Sequence, residues 1–127
     1  MITTKHIATA QHVIVDSGAA EQFRQLLTPK GPGRRFAFHP GVFVIGMFLS
    51  AHIHAQTHIR LIHKVLTEDL NLDQQYIWGV RKAAVDGKPE WVLSEADLQN
   101  VSRAIKRVLS YGVFMPEDMQ DDENEKA

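Results

Sequence analysis

The densest apolar run of the chain covers residues 41–51, inside the longer stretch 39–70, HPGVFVIGMFLSAHIHAQTHIRLIHKVLTEDL. Its first half is apolar almost all round, which predicts a helix buried on several sides. The second half is one-sided. Ile59, Leu61, Ile62, Val65 and Leu66 are apolar there, while Arg60, Lys64 and Glu68 stack four apart on the wet face. Pro40 stands at the first helical position, where a missing N–H is no loss. The stretch reads as a long central core helix with a break or bend near residues 50–55.

On either side the pattern is helical again. Asp16-Ser17-Gly18 offers an N-cap, Glu21 lies in the first turn that follows, and Phe23, Leu26 and Leu27 recur at helical spacing, predicting a helix over 17–27. Thr28-Pro29 ends it, because the residue before proline is pushed out of the helical region. Upstream, residues 12–15 read as a short strand or the entry to a helix. Residues 30–40 are a Gly/Pro loop in which Phe36 and Phe38 could anchor an extended segment. Asn71 reads as a helix C-cap, and Asp73 as the cap of a short helix that Gly79 terminates. In 80–93 the Asp86-Gly87 dipeptide signals a tight turn, Pro89 weakens the strand behind it, and a hairpin and an ordered loop fit equally well. Ser94 then opens the last helix, with Asp97 completing a capping box. Its apolar stripe is Leu98, Val101, Ile105, Val108 and Leu109, with Arg103, Lys106 and Arg107 off the stripe and Gly112 as the terminating cap. The fold class this implies is mainly α: a small helical bundle around a long central helix, with at most one short β-hairpin, near 80–93.

At 127 residues the chain is expected to form one helical domain over 1–115. Residues 116–127 hold six acids and one base, and have too few apolar groups to offset the entropy of ordering, so a disordered acidic tail is expected there. The other 115 residues carry 13 bases against 9 acids, a net of +4. A mildly basic body of this kind permits nucleic-acid contact without demanding it. The absence of cysteine excludes a disulfide framework, thiolate metal sites and a Cys nucleophile. The N-terminus lacks a basic head and continuous apolar run, and the 41–51 run is about half a bilayer span, so a cytoplasmic location without membrane association is expected.

Candidate chemistry is sparse. There is no nucleophile elbow, and the adjacent acids Glu68-Asp69 and Asp121-Asp122 do not resemble a catalytic pair, so no enzyme and no cofactor are expected. Four of the seven histidines fall in 52–63. On a continuous helix His54 and His58 would share a face and could hold one metal ion between them. His52 and His63 would lie about 16 Å apart along the axis and could not. The competing reading is that these are structural or solvated histidines. Arg34-Arg35 in the Gly/Pro loop suit phosphate contact through arginine's planar fork. Arg103, Lys106 and Arg107 form a basic helix face that could lie against DNA, and for each set a solvated surface is the plain alternative. Gly41, Gly46 and Ala51 are small enough to allow a twin helix to approach, so a homo-oligomer and an intrachain core are both open.

Residues 33–70, GRRFAFHPGVFVIGMFLSAHIHAQTHIRLIHKVLTEDL, resemble the N-terminal region of a group of actinobacterial DDE-type transposases. Those proteins carry a short helix, an Arg-rich loop and a long apolar helix. The matching positions are Arg34, Arg35, Val42, Ile45, Gly46, Leu49, His58, Ile62, His63, Lys64, Leu66 and Leu70. The helix SEADLQNVSRAIKRVLSYG corresponds to one that opens with Ser or Thr before the catalytic part, so the likeness covers roughly residues 12–112. The metal-binding acidic triad of such transposases lies in a long ribonuclease-H-like domain that has no counterpart in these 127 residues. The resemblance therefore implies a non-catalytic module that binds duplex DNA or mediates protein association.

Overall fold

A computed structural model of the chain describes residues 2–27 and 36–110. It is mainly helical, with one two-stranded antiparallel sheet. The expected tail, the Gly112 cap and the Arg34-Arg35 loop lie outside the described residues.

Helix α1 (Thr4–Ala10) starts on a capping box in which Thr3 accepts from the His6 backbone N–H at 3.3 Å and the Thr3 N–H donates to His6 Nδ1 at 3.1 Å. It runs into a π-helical turn over Gln11–Asp16, where the Gln11 side chain donates to Asp16 at 2.8 Å across five positions. Residues 12–15 are thus helical, and the strand alternative is corrected. Ile14 is buried in a helical turn, and the backbone hydrogen bonds are satisfied locally without a partner strand. Helix α2 (Ala19–Leu27) follows Gly18, whose φ of +87° makes the turn that a side chain would strain.

Helix α3 (Gly41–His54) is the apolar core helix, with Val42, Phe43, Ile45, Leu49 and Ser50 buried. Its glycines are close-approach points inside the chain. A Cβ at Gly41 would stand 2.7 Å from Ala20 Cβ, and one at Gly46 would stand 2.5 Å from Ile62 Cγ2. Ala51, the third small residue, is exposed. The helix ends sharply. Ala55 adopts a left-handed cap with φ of 57°, donating back to the Ala51 carbonyl, while the buried Ser50 hydroxyl donates to the Gln56 carbonyl. Helix α4 (Ile59–Lys64), extended by a π-helical turn over Val65–Asp69, leaves at 96° to α3. The break lies at 55–58, at the C-terminal edge of the predicted interval. The two arms fold against each other and bury Leu49, Ile62, Val65, Leu66 and Leu70 in one cluster.

Asn71 caps the start of α5 (Leu72–Ile77), its side chain accepting from Gln74 N at 2.8 Å, where a C-cap was expected. Both roles suit a short polar side chain; what decides is the extended backbone at Leu70 and Asn71, which separates the preceding turn from the new helix. Gly79, at φ of +76°, closes α5 as predicted. Strands β1 (Arg81–Lys82) and β2 (Trp91–Val92) pair with Arg81 opposite Val92 and Lys82 opposite Trp91. Asp86 and Gly87, both at positive φ (50° and 77°), form the tight turn under a Val85–Lys88 bridge. Phe38 is buried against Trp91 with ring centroids 6.1 Å apart, and Phe36 meets Phe38 edge-on, so the two rings do anchor the segment entering α3.

Helix α6 (Glu95–Ser110) closes the structure, packing on α4 and α2 through Leu98, Val101 and Ala104. Ile105 and Val108 are half-buried, and Leu109, placed on the apolar stripe from its spacing, is a little over one-third exposed. No single helix is long and apolar enough to cross a membrane among the described residues; the bent pair of 41–54 with 59–69 passes such a test by length and composition, and most of its bulky residues are core.

Candidate nucleic-acid interface

The first turn of α6 consumes its own acids. The Ser94 N–H and hydroxyl both meet Asp97 Oδ2 at 2.9 Å, and Asp97 N donates to the Ser94 hydroxyl at 3.2 Å, the reciprocal capping box predicted from the spacing. Glu95 faces the Arg60 guanidinium of α4 at 3.8 Å. From Leu98 to Ser110 the helix holds no acid at all. With one side of α6 buried by Leu98, Val101 and Ala104, the three- and four-residue spacings place Gln99, Asn100, Arg103, Lys106 and Arg107 together on the exposed side. Arg103 donates to the Asn100 carboxamide oxygen at 3.3 Å, so a guanidinium and a carboxamide stand side by side at the middle of this face. From Gln99 to Arg107 the face is about 12 Å long. Such a strip offers positive charge toward one end and neutral hydrogen-bonding groups toward the other. The three cations were visible in the sequence. The carboxamides were not singled out, because uncharged polar residues leave no mark in a charge pattern.

The other arginine pair, Arg34 and Arg35, lies outside the described residues. The break at Ala55 removes the shared helix face on which His54 and His58 were expected to meet. His54 is the last residue of α3, whereas His58 caps α4, its Nδ1 accepting from Leu61 N at 3.3 Å. The i, i+4 argument for a metal pair is thereby corrected: it needs a continuous helix, and the chain turns 96° between the two residues. His54 instead directs its buried Nε2 at Asp69, 3.6 Å away and beyond hydrogen-bond reach. That neighbour is fifteen positions on and is delivered by the bend, so no local spacing could have shown it. Among the described residues no group of three His, Cys, Asp or Glu side chains is placed to share an ion. Several other histidines hold backbone groups. His63 meets the Leu93 carbonyl at 2.8 Å, His52 the Phe48 carbonyl at 2.9 Å, and His39 accepts from Gly41 N at 3.0 Å.

An open cleft of about 500 Å³ lies between the start of α3 and α5. Val15, Phe38, Val42 and Trp78 supply apolar wall, and His39 and Lys82 supply polar edge. Because His39 Nδ1 accepts from Gly41, its Nε2 carries the proton and donates to Glu21 at 3.1 Å. The Arg24 guanidinium beside it, and then this histidine, hold the Glu21 carboxyl down to about 2. Lys82 is likewise engaged, donating to the Ala37 carbonyl with its ammonium 5.1 Å from the Trp91 ring centre. Beside the cleft α5 exposes Leu72, Tyr76 and Ile77, the last at 70%. Sequence reading did not find this cleft, since its walls come from five separate segments. No family model, no curated protein and no solved structure matches the chain.

Proposed function

We propose that this chain is a non-enzymatic helical module that binds duplex DNA through the exposed face of α6. One observation carries the reading: Arg103, Lys106 and Arg107 share an exposed face of a helix that has no acid from Leu98 onward, its two acids, Glu95 and Asp97, being paired in its first turn. The resemblance of residues 12–112 to transposase N-terminal regions supports the same reading. Contacts of this kind release counterions, so affinity should fall linearly with the logarithm of salt, with a slope of about −0.9 per neutralised phosphate. A fluorescence-anisotropy titration of the full chain on a labelled duplex tests it. Binding is expected at about 50 mM salt, and the triple change Arg103→Ala, Lys106→Ala, Arg107→Ala is expected to reduce the slope by roughly two to three. A chain that shows no binding at low salt, or whose slope the triple change leaves alone, sinks the reading.

A second reading, protein association, is favoured by the exposed Leu72, Tyr76 and Ile77 beside the apolar cleft. The small residues first considered for a twin-helix contact do not serve it, because Gly41 and Gly46 are closed by Ala20, Ile62 and Leu66 of the same chain. Sedimentation over a range of protein concentrations is expected to show self-association that Ile77→Glu weakens at least tenfold. Identical sedimentation of the two proteins would remove α5 from any such contact.

A further inference from the structure

We propose that α6 does more than hold phosphates: it enters the major groove and reads base edges, with Asn100 and Arg103 as the specifying residues and Lys106 and Arg107 as the positioning ones. The inference rests on the DNA-binding reading above and assigns different work to residues of one face. Carboxamides can bond phosphates as well as base edges, so what distinguishes the two uses is the order of groups along the helix. Here the N-terminal half of the face exposes Ala96, Gln99 and Asn100, with Glu95 at its edge offset by Arg60 at 3.8 Å, and the helix's own cations begin at Arg103. That ordering matches the demands of groove entry, in which residues toward the start of the helix meet bases and those further along meet the backbone.

The side chains also match in chemistry. A carboxamide pairs with adenine through its N6 and N7, and a guanidinium pairs with guanine through O6 and N7, each by two hydrogen bonds. The existing Arg103–Asn100 hydrogen bond of 3.3 Å uses one lone pair of the carboxamide oxygen. The second lone pair is left for an adenine N6 donor. The carboxamide NH2 makes no other hydrogen bond among the described residues and can meet N7. Holding the two groups together before binding lowers the entropy of ordering them on adjacent base pairs. Dimensions agree as well. A helix about 10–12 Å across fits a groove about 12 Å wide, and the 12 Å strip spans three to four base pairs. The packed side of α6 faces its own core, so only the reading face needs to enter.

The test is selection of the full chain on a randomised duplex library, followed by anisotropy on the selected and a scrambled duplex at one salt concentration. A short motif with an A·T pair beside a G·C pair is expected, bound on the order of tenfold or more above the scrambled duplex. Asn100→Ala should abolish the preference at the A·T position and Arg103→Ala that at the G·C position. Lys106→Ala should weaken both duplexes by the same factor. All three side chains are exposed, and unchanged circular dichroism would show that the fold survives. Binding without a recovered motif overturns base reading and leaves DNA binding standing. A motif indifferent to both Asn100→Ala and Arg103→Ala overturns the assignment of the reading residues. Failure to bind any duplex overturns the DNA-binding reading and this inference with it.

Discussion

Replacing Gly46 with valine is expected to destabilise the fold by about 2–3 kcal/mol, seen as a lowered midpoint in urea unfolding with an unchanged slope. Helix propensity argues the other way. Glycine inside a helix costs up to about 1 kcal/mol relative to alanine, and α3 runs on to His54 beyond this point. The contact decides the sign. A Cβ at position 46 would lie 2.5 Å from Ile62 Cγ2 and 2.8 Å from Leu66 Cδ1, and both side chains are fully buried. Ile62 is β-branched and stiff at χ1, and Leu66 has no solvent to swing into. Two further methyls from valine would have to be housed in the same space. Gly46→Ala should fall between native and valine, since its smaller clash is partly offset by propensity. If the valine protein unfolds at the native midpoint, the two arms of the elbow that α3 and α4 form at the 55–58 break do not meet at Gly46.

The second large effect is expected at Gln75, buried to 2% exposure beside the end of the 65–69 turn. Its NH2 donates to the Leu70 carbonyl at 2.7 Å and the Thr67 carbonyl at 3.1 Å, while its oxygen accepts from Arg81 Nε at 3.1 Å. One side chain thereby satisfies the carbonyls left at the end of the 65–69 turn and holds the first residue of the hairpin. Gln75→Leu keeps comparable bulk but leaves those groups without their partner. Each buried group so orphaned costs about 1–3 kcal/mol, and added apolar burial recovers part, so a net loss of about 3 kcal/mol is expected. Thermal and urea unfolding should agree on it. A loss below about 1 kcal/mol would mean that water takes over the vacated hydrogen bonds.

Local signals carried the reading where chemistry and geometry coincide within a few residues. Ser94 and Asp97, Asp86-Gly87 and Gly79 each specify a backbone state through their own side chain or its lack, and each stands where the pattern placed it. The N-terminal helix was hidden because its capping box uses His6 where Glu or Gln is usual. The elbow was only partly visible. No glycine or proline marks it, the left-handed position is filled by Ala55, and the next helix is capped by an imidazole, so composition gave no stop signal between Ser50 and Ile59. That gap misplaced His54 and His58 on one face. For α6, cation spacing identified the exposed side, but Gln99 and Asn100 carry no charge and left no mark in that pattern. The cleft needed tertiary structure throughout.

The elbow also orders the cost of chain closure. Gly46 meets Ile62 and Leu66 only 16 and 20 positions later, whereas the Trp78 indole, buried to 8% exposure, donates to Gln11 at 2.9 Å across 67 positions. The longer closure spans about two doublings of loop length, or roughly 1.2 kcal/mol more entropy if made first. Folding the two arms together early shortens the path from Gln11 to Trp78 before it must be closed. The Gln11–Trp78 contact is therefore the one whose closure gains most from the two arms having met first.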